Sequence, residues 1–286
     1  MTGIDVDSFK AEQRSLWNDL SAAWDRWHPV FEAGAEPVTR LLLDVGAVRP
    51  GATVLDVASG TGEVAVAAAE RVGPQGRVVG VDLAADMVAV ARRRGAAHPQ
   101  LSFIQGDAED LGLPSASFDT VLSRWGLMFL PDRARSLRGL CSLLRPGGRL
   151  AGTSWSVPPR AAVISTAFGV IGSRLQLPAP PPGTPGPFSM TDPAALVDEF
   201  AAAGFADAQA DEVQLTFRFD TVDDFVAFSR DLLPPRMRQL VADRMDDAER
   251  ESLWTAVGER VAGLVDAKGA VDVPSTAICF HATKPE

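Results

Sequence analysis

From Thr53 to Trp155 the chain alternates short apolar runs with stretches of helical period, and this alternation constrains the fold more than any other feature. TVLDVA, RVVGVD, LSFIQGD, FDTVLSRW and GGRLAGTSW read as strands, separated by helical stretches such as Glu63–Val72, Ala84–Arg94 and Pro131–Leu144. Such a pattern predicts βαβ units on a parallel sheet. The first three runs each end in an aspartate: Asp56, Asp82 and Asp107. In an open α/β sheet the ligand crevice lies beyond the carboxyl ends of the strands, so all three carboxylates fall on one rim.

The first strand turns into its helix at Gly60-Thr61-Gly62, which brings backbone N–H groups and a positive helix end close to a ligand. Read as G-x-G-x-x-A, Gly60 to Ala65 also satisfies the dinucleotide fingerprint, with Asp82 as a ribose ligand. Asp56 argues against a dinucleotide, because a carboxylate at the strand tip repels a pyrophosphate but suits a cationic ligand. Asp107 is suited to accept a hydrogen bond from an adenine amino group. S-adenosylmethionine has the matching chemistry: a sulfonium, an ammonium, a ribose diol and adenine.

VLDVASGTG, VVGVDLAADMVAVAR, IQGDAEDLGLPSASFDTVLSRWGLMFL and LLRPGGRL together resemble the class I S-adenosylmethionine-dependent methyltransferases. The branch they resemble is that of the ubiquinone and menaquinone biosynthesis C-methyltransferases, with a match over roughly residues 38 to 155. The resemblance implies that the methionine portion is held by Asp56, Ala58, Gly60 and Gly62, with Ser123 beneath it. It implies Asp82 on the ribose hydroxyls, Leu83 and Met87 along the adenosine, and Asp107 with the Ala108 N–H on adenine. The Arg145-Pro146-Gly147-Gly148 turn matches a structural signature of the family.

The expected fold is a doubly wound, seven-stranded, mostly parallel Rossmann-like methyltransferase sheet with an N-terminal helical segment and helical cap insertions. Residues 1–37 are expected to form a helical lid and 38–155 the cofactor-binding core. Residues 156–190 form a lid or linker insertion, 191–219 a core helix and strand, 220–270 a helical cap, and 271–286 the last core strand. Phe9, Leu16, Leu20, Ala23, Trp24 and Trp27 recur at helical spacing, predicting a helix over about 8 to 27 that stops before Pro29. PAPPPGTPGP at 178–187 reads as a stiff surface connection. Thr191-Asp192-Pro193 is a helix cap with proline at the first helical position, closed by Gly204. Val213–Phe219 alternates as a strand with one solvated face, Thr221 caps a further helix, and Ser275–Thr283 is the last strand. The helical segment at about 220–270 is expected to fold over the ligand edge.

The apolar insertions favour a small hydrophobic or aromatic acceptor, methylated at carbon or oxygen, in natural-product or quinone biosynthesis. Trp24, Trp125, Met128, Phe129, Phe168 and Phe225 are the candidate acceptor-binding residues. His28 shares a helix face with Trp24 and is the candidate general base; the alternative is a histidine that merely ends the helix before proline. His98 reads as a loop residue away from the ligand edge, and His281 as structural. No spacing of histidine and carboxylate suggests a metal. Two rival readings stay open: a protein that binds S-adenosylmethionine without methylating, as a sensor or cyclase, and a nicotinamide oxidoreductase, which Asp56 disfavours.

Charged residues sum to −10, and no basic stripe would track a phosphate backbone, which argues against a nucleic-acid partner. With no apolar segment of membrane-spanning length and Asp5 and Asp7 where a signal peptide would need positive charge, a cytoplasmic location is expected. Cys141 and Cys279 are expected to be buried reduced thiols. The oligomeric state is not readable from the sequence.

Overall fold

In a computed structural model, which describes residues 5–181 and 183–286, seven strands form one sheet in the order β3-β2-β1-β4-β5-β7-β6. The strands are β1 (Thr53–Val57), β2 (Arg77–Asp82), β3 (Leu101–Gln105), β4 (Phe118–Arg124), β5 (Leu144–Trp155), β6 (Ala206–Phe219) and β7 (Val271–Thr283). The first five are parallel, while β7 runs antiparallel to both β5 and β6. The order reverses between β1 and β4, which is where the crevice of such a sheet opens.

Side chains alternate across a strand, so each buried strand feeds two layers. Val54, Val78, Phe103, Leu122 and Ala151 pack in one cluster with α2 (Glu63–Val72), α3 (Ala85–Arg94) and Leu42 and Leu43 of α1 (Val6–Val45). Leu55, Val79, Val121 and Leu150 join the other, larger cluster, with Leu137, Leu140 and Leu143 of α4 (Arg133–Leu143) and Leu196 and Phe200 of α6 (Pro193–Ala202). The cap of α6 is as read: Asp192 Oδ1 accepts from the N–H groups of Ala194 and Ala195.

The N-terminal helix departs from the expectation. It does not stop before Pro29 but runs for 40 residues, with Pro29 and Pro37 inside it. An internal proline costs a helix about 3 kcal/mol by removing a hydrogen bond and crowding the preceding turn. Here that cost is offset by tertiary burial: Phe31, Ala35, Val38, Leu42 and Leu43, all beyond Pro29, are 4% exposed or less. Gly34 lets this half lie on β6, because a Cβ there would meet Phe217 Cδ1 at 2.4 Å.

The last strand runs from Val271, the first residue of the segment expected to hold it and four residues before the Ser275–Thr283 run, and contains Pro274. β5 ends at Trp155 opposite Ala277, so Pro274 pairs only with Thr216 of β6 and sits where a missing N–H is tolerated. Between β6 and β7 come α7 (Val222–Asp231), α8 (Pro235–Arg244) and α9 (Asp247–Glu259). α7 packs beside α1 and α5 (Ala162–Arg174), and α9 beside α5 and α7. Thr221 caps α7 by accepting from the Asp224 N–H. The described residues of the proline-rich stretch form no helix or strand, and its end is tied to the core where Met128 O accepts from Gly186 N–H and the Ser189 hydroxyl. No helix among the described residues is long and apolar enough to cross a membrane.

Candidate active site

β1 delivers the chain to Ala58 and Gly60, both at φ +54, and then to Gly62 at φ +97, where α2 begins. This loop, the loops after β2 to β4 and one face of α1 enclose an open cleft. Asp56, Ala58, Gly60, Asp82, Leu83, Met87, Asp107 and Ala108 all line it, so the structure brings together most of the residues expected around the cofactor.

Each aspartate is set differently. Asp56 is 1% exposed and its Oδ2 has no partner. Burial pushes its carboxyl up to about 8, against the pull of the Arg124 guanidinium. Asp82 clamps the loops, its Oδ2 accepting from Gly60 N–H (2.8 Å) and its Oδ1 from Ala84 N–H (2.9 Å). Burial raises its pKa and these backbone donors oppose the rise. A carboxylate has about four acceptor positions, so lone pairs remain for ribose hydroxyls. Asp107 Oδ1 accepts from Glu109 N–H (2.9 Å), and its Oδ2 meets Lys10 Nζ at 2.7 Å. Lys10 also pairs with Glu109.

Two residues placed on the cofactor by resemblance lie elsewhere. Gly62 does not line the cleft: its missing Cβ makes room for Phe103 and Ala91, within about 3 Å, so this glycine serves helix–sheet packing. Ser123 is 1% exposed behind the wall, where its hydroxyl oxygen would be 2.7 Å from a Cβ on Gly126. The acceptor candidates divide as well. Trp24, Trp125 and Phe129 line the cleft, whereas Met128, Phe168 and Phe225 do not. Met128 points into the core beneath the post-β4 turn, Phe168 packs against the core from α5, and Phe225 is sealed against Phe219 at 5.3 Å. No residue of 220–270 reaches the cleft, because α7 packs on α1 and α5 and α9 on α5 and α7, away from the ligand edge.

The wall is instead built by α1. Phe9, Gln13, Trp17, Trp24 and His28 fall on one stripe of it and line the cleft, with Lys10 and Glu32 beside them. Trp24 and His28 were read as candidates on this helical lid, whereas Phe9, Gln13 and Trp17 of the same stripe were not. Trp17 meets Phe129 edge-on at 5.1 Å. Trp125 has φ +57, a strained conformation for a bulky residue, held by its N–H bonds to Thr153 and by stacking on Trp155 at 4.4 Å. The Trp24 and Trp125 indole nitrogens are buried without a partner. Arg124 was also missed: it pairs with Glu32 (2.7 Å) and lies 5.2 Å over the Trp125 ring. His28 lines the cleft, and burial and the Arg94 charge lower its pKa, so it is neutral at pH 7. His98 and His281 do not line it. The thiols of Cys141 and Cys279 are free, with Cys279 buried and pushed up to about 12 by burial while Cys141 is only partly buried.

A parallel sheet with an acid at each of three successive strand ends and a glycine turn between the first strand and its helix defines a nucleoside-binding α/β enzyme. The orphaned Asp56 oxygen and the space beside Gly60 fit a cationic adenosyl donor. Residues 54–148 match the model of a methyltransferase domain. The chain is 33% identical to the ubiquinone/menaquinone biosynthesis C-methyltransferase of Hahella chejuensis, over 58% of this chain and 68% of that protein. It is 34% identical to the nocamycin O-methyltransferase of Saccharothrix syringae, over 72% of this chain and 79% of that protein. The fold matches the Haemonchus contortus phosphoethanolamine N-methyltransferase 2 solved with S-adenosyl-L-methionine, at TM-score 0.53 and 20% identity, over 87% of this chain and 53% of that one. The chain belongs to the class I S-adenosylmethionine-dependent methyltransferases, in the branch that acts on small molecules.

Proposed function

We propose that this enzyme methylates a small, largely hydrophobic acceptor at carbon or oxygen, in quinone or natural-product biosynthesis. The observation that carries the reading is the aromatic wall, Trp17, Trp24, Trp125 and Phe129, set opposite the acid rim in one cleft. Similarity to a quinone C-methyltransferase and to the nocamycin O-methyltransferase supports the same acceptor class.

S-adenosylmethionine, when bound, supplies a methyl group on a sulfonium, already activated for displacement. Asp56, Gly60 and the Ala58 backbone would hold its methionine end, Asp82 its ribose and Asp107 with Ala108 its adenine. What remains for the chain is alignment and exclusion of water, and orientation of this kind supplies roughly 7–11 kcal/mol of a bimolecular barrier. The N-terminal part of α1 acts as the lid: Asn18 Oδ1 accepts from Asp86 N–H at 3.0 Å, and Asp25 pairs with Arg93 and Arg94, so the helix is fastened across α3. His28 takes the proton of an acceptor that must lose one.

The test is incubation with methyl-labelled cofactor and an extract of the source cells, with the product identified by mass spectrometry. A labelled small apolar metabolite is expected. Label appearing only in RNA or protein would overturn the acceptor class.

A further inference from the structure

His28 does not stand alone in the cleft. Its Nε2 lies 3.2 Å from Glu63 Oε1, and Glu63 is the first residue of α2, immediately after the glycine turn. The same carboxylate oxygen accepts the Thr61 hydroxyl at 2.7 Å and pairs with Arg94 from the end of α3. Arg94 is in turn paired with Asp25, one turn before His28 on α1. Glu63 is thus held from the glycine turn and from α3, and it presents its oxygen to one edge of the imidazole. The Nε2–Glu63 approach is an ion-pair distance, and no protein atom comes as near to the ring on its Nδ1 side in a salt bridge or hydrogen bond among the described residues.

We propose that Glu63 is the positioning residue of a Glu63–His28 pair, which keeps the imidazole proton on Nε2 and leaves the Nδ1 lone pair as the base for acceptors that attack as anions. This rests on the methyl-transfer reading above and names a subclass of acceptor: a phenol, an enol or an activated C–H, in place of a neutral amine or thioether. The proton leaves the acceptor's X–H bond for the Nδ1 lone pair. The bonding pair stays on X and forms the new X–C bond, while the carbon–sulfur pair remains on the departing sulfur. The imidazolium then returns its proton to solvent.

The charges around the ring agree with this assignment. Asp25 and Glu32 face it from α1, Glu63 from α2, Arg94 from α3 and Arg124 from β4. Each arginine is itself paired, Arg94 with Asp25 and Glu63, Arg124 with Glu32. The ring is therefore neutral at rest, and an imidazolium formed in turnover sits beside a carboxylate. An ionised Glu63 carboxylate can only accept hydrogen bonds, and an acceptor on Nε2 selects the tautomer with Nδ1 free.

Nitrogen-15 NMR of histidine-labelled protein saturated with S-adenosylhomocysteine tests it directly. The chain has 3 histidines, and the H28Q variant assigns the signal. At neutral pH the wild type is expected to show Nε2 protonated and Nδ1 bare, and E63A to raise the Nδ1-protonated form several-fold. A wild-type proton on Nδ1, or a tautomer ratio unmoved in E63A, overturns the pairing, and the wild-type result needs no variant to fold. In label transfer from methyl-labelled cofactor to extract acceptors, H28Q is expected to lose about 100-fold in kcat, the lower end of the range for one oriented base, and E63A a smaller, several-fold amount. E63D should recover part of the loss and the acid limb of the pH profile. Identical profiles for E63A and wild type would overturn the proposal. No labelled product from the wild type would instead overturn the methyl-transfer reading, while the tautomer measurement would still decide the pairing.

Discussion

Asp56 is a carboxyl group that the fold has taken out of water and left with one oxygen free, which is a costly arrangement unless a cation completes it. Its value of about 8 lies above the ordinary 3.8, so the folded chain without ligand holds a proton there that the unfolded chain has released. Stability of the unliganded protein is fullest near and below pH 3.8 as far as this group is concerned, and it declines as pH rises towards about 8. A sulfonium and an ammonium favour the carboxylate, so binding expels the proton. Calorimetry of S-adenosylmethionine in buffers of different ionisation enthalpy should show release approaching a whole proton near pH 7 and affinity rising with pH up to about 8. The D56N variant should lose both the proton release and the pH dependence. A pH-independent wild-type affinity would contradict the assignment of Asp56 to the cation.

At the scale of elements, α1 serves two structures with two halves. Beyond Pro29 it belongs to the core, through Phe31, Ala35 and Val38. Before Pro29 it is the wall of the cleft, attached mainly by polar contacts to α3 and to the loop after β3. The two halves should answer differently to mutation. G34A forces a Cβ into the Phe217 ring and should cost about 1–3 kcal/mol, the usual range for overpacking, read as a lowered denaturation midpoint at unchanged slope. K10M removes the cation shared by Asp107 and Glu109 and should lower the midpoint only modestly, since the Glu109 side chain, 2% exposed, keeps its hydrogen bonds from the Asp132 N–H and the Ser136 hydroxyl. Its expected effect is several-fold faster cofactor release in stopped-flow, diminishing at high salt. A large loss of stability in K10M would mean that the wall half is part of the core after all.

At the scale of the whole molecule, the cleft opens where the strand order reverses, so a ligand there touches the ends of β1, β2 and β4 together with α1. Binding should therefore stabilise the fold globally. At about 100 times its Kd, S-adenosylhomocysteine should contribute about 2.7 kcal/mol and raise Tm by several degrees in calorimetry. NADH should produce no shift, because its pyrophosphate brings no cation to the unpartnered Asp56 oxygen.

The βαβ sheet and the acid rim were legible because each follows from local pattern: apolar runs of strand length, helix-period crossovers, and aspartates at the strand ends. The strand order, with β7 antiparallel between β5 and β6, is a long-range pairing that no local run specifies. Trp24, His28 and Trp125 were also legible as site residues, since a helix face and a strand tip fix where such side chains begin. Met128, Phe168 and Phe225 were not separable from them, because an aromatic or thioether side chain looks the same in sequence whether it faces a ligand or a core. The helix through Pro29 and Pro37, the reach of Lys10 to Asp107 and the meeting of Glu63 with His28 were decided only in three dimensions. Local chemistry sets what each segment prefers, but the burial that overrides a proline, and the pairing of charges as distant in sequence as Lys10 and Asp107, exist only once the segments have packed.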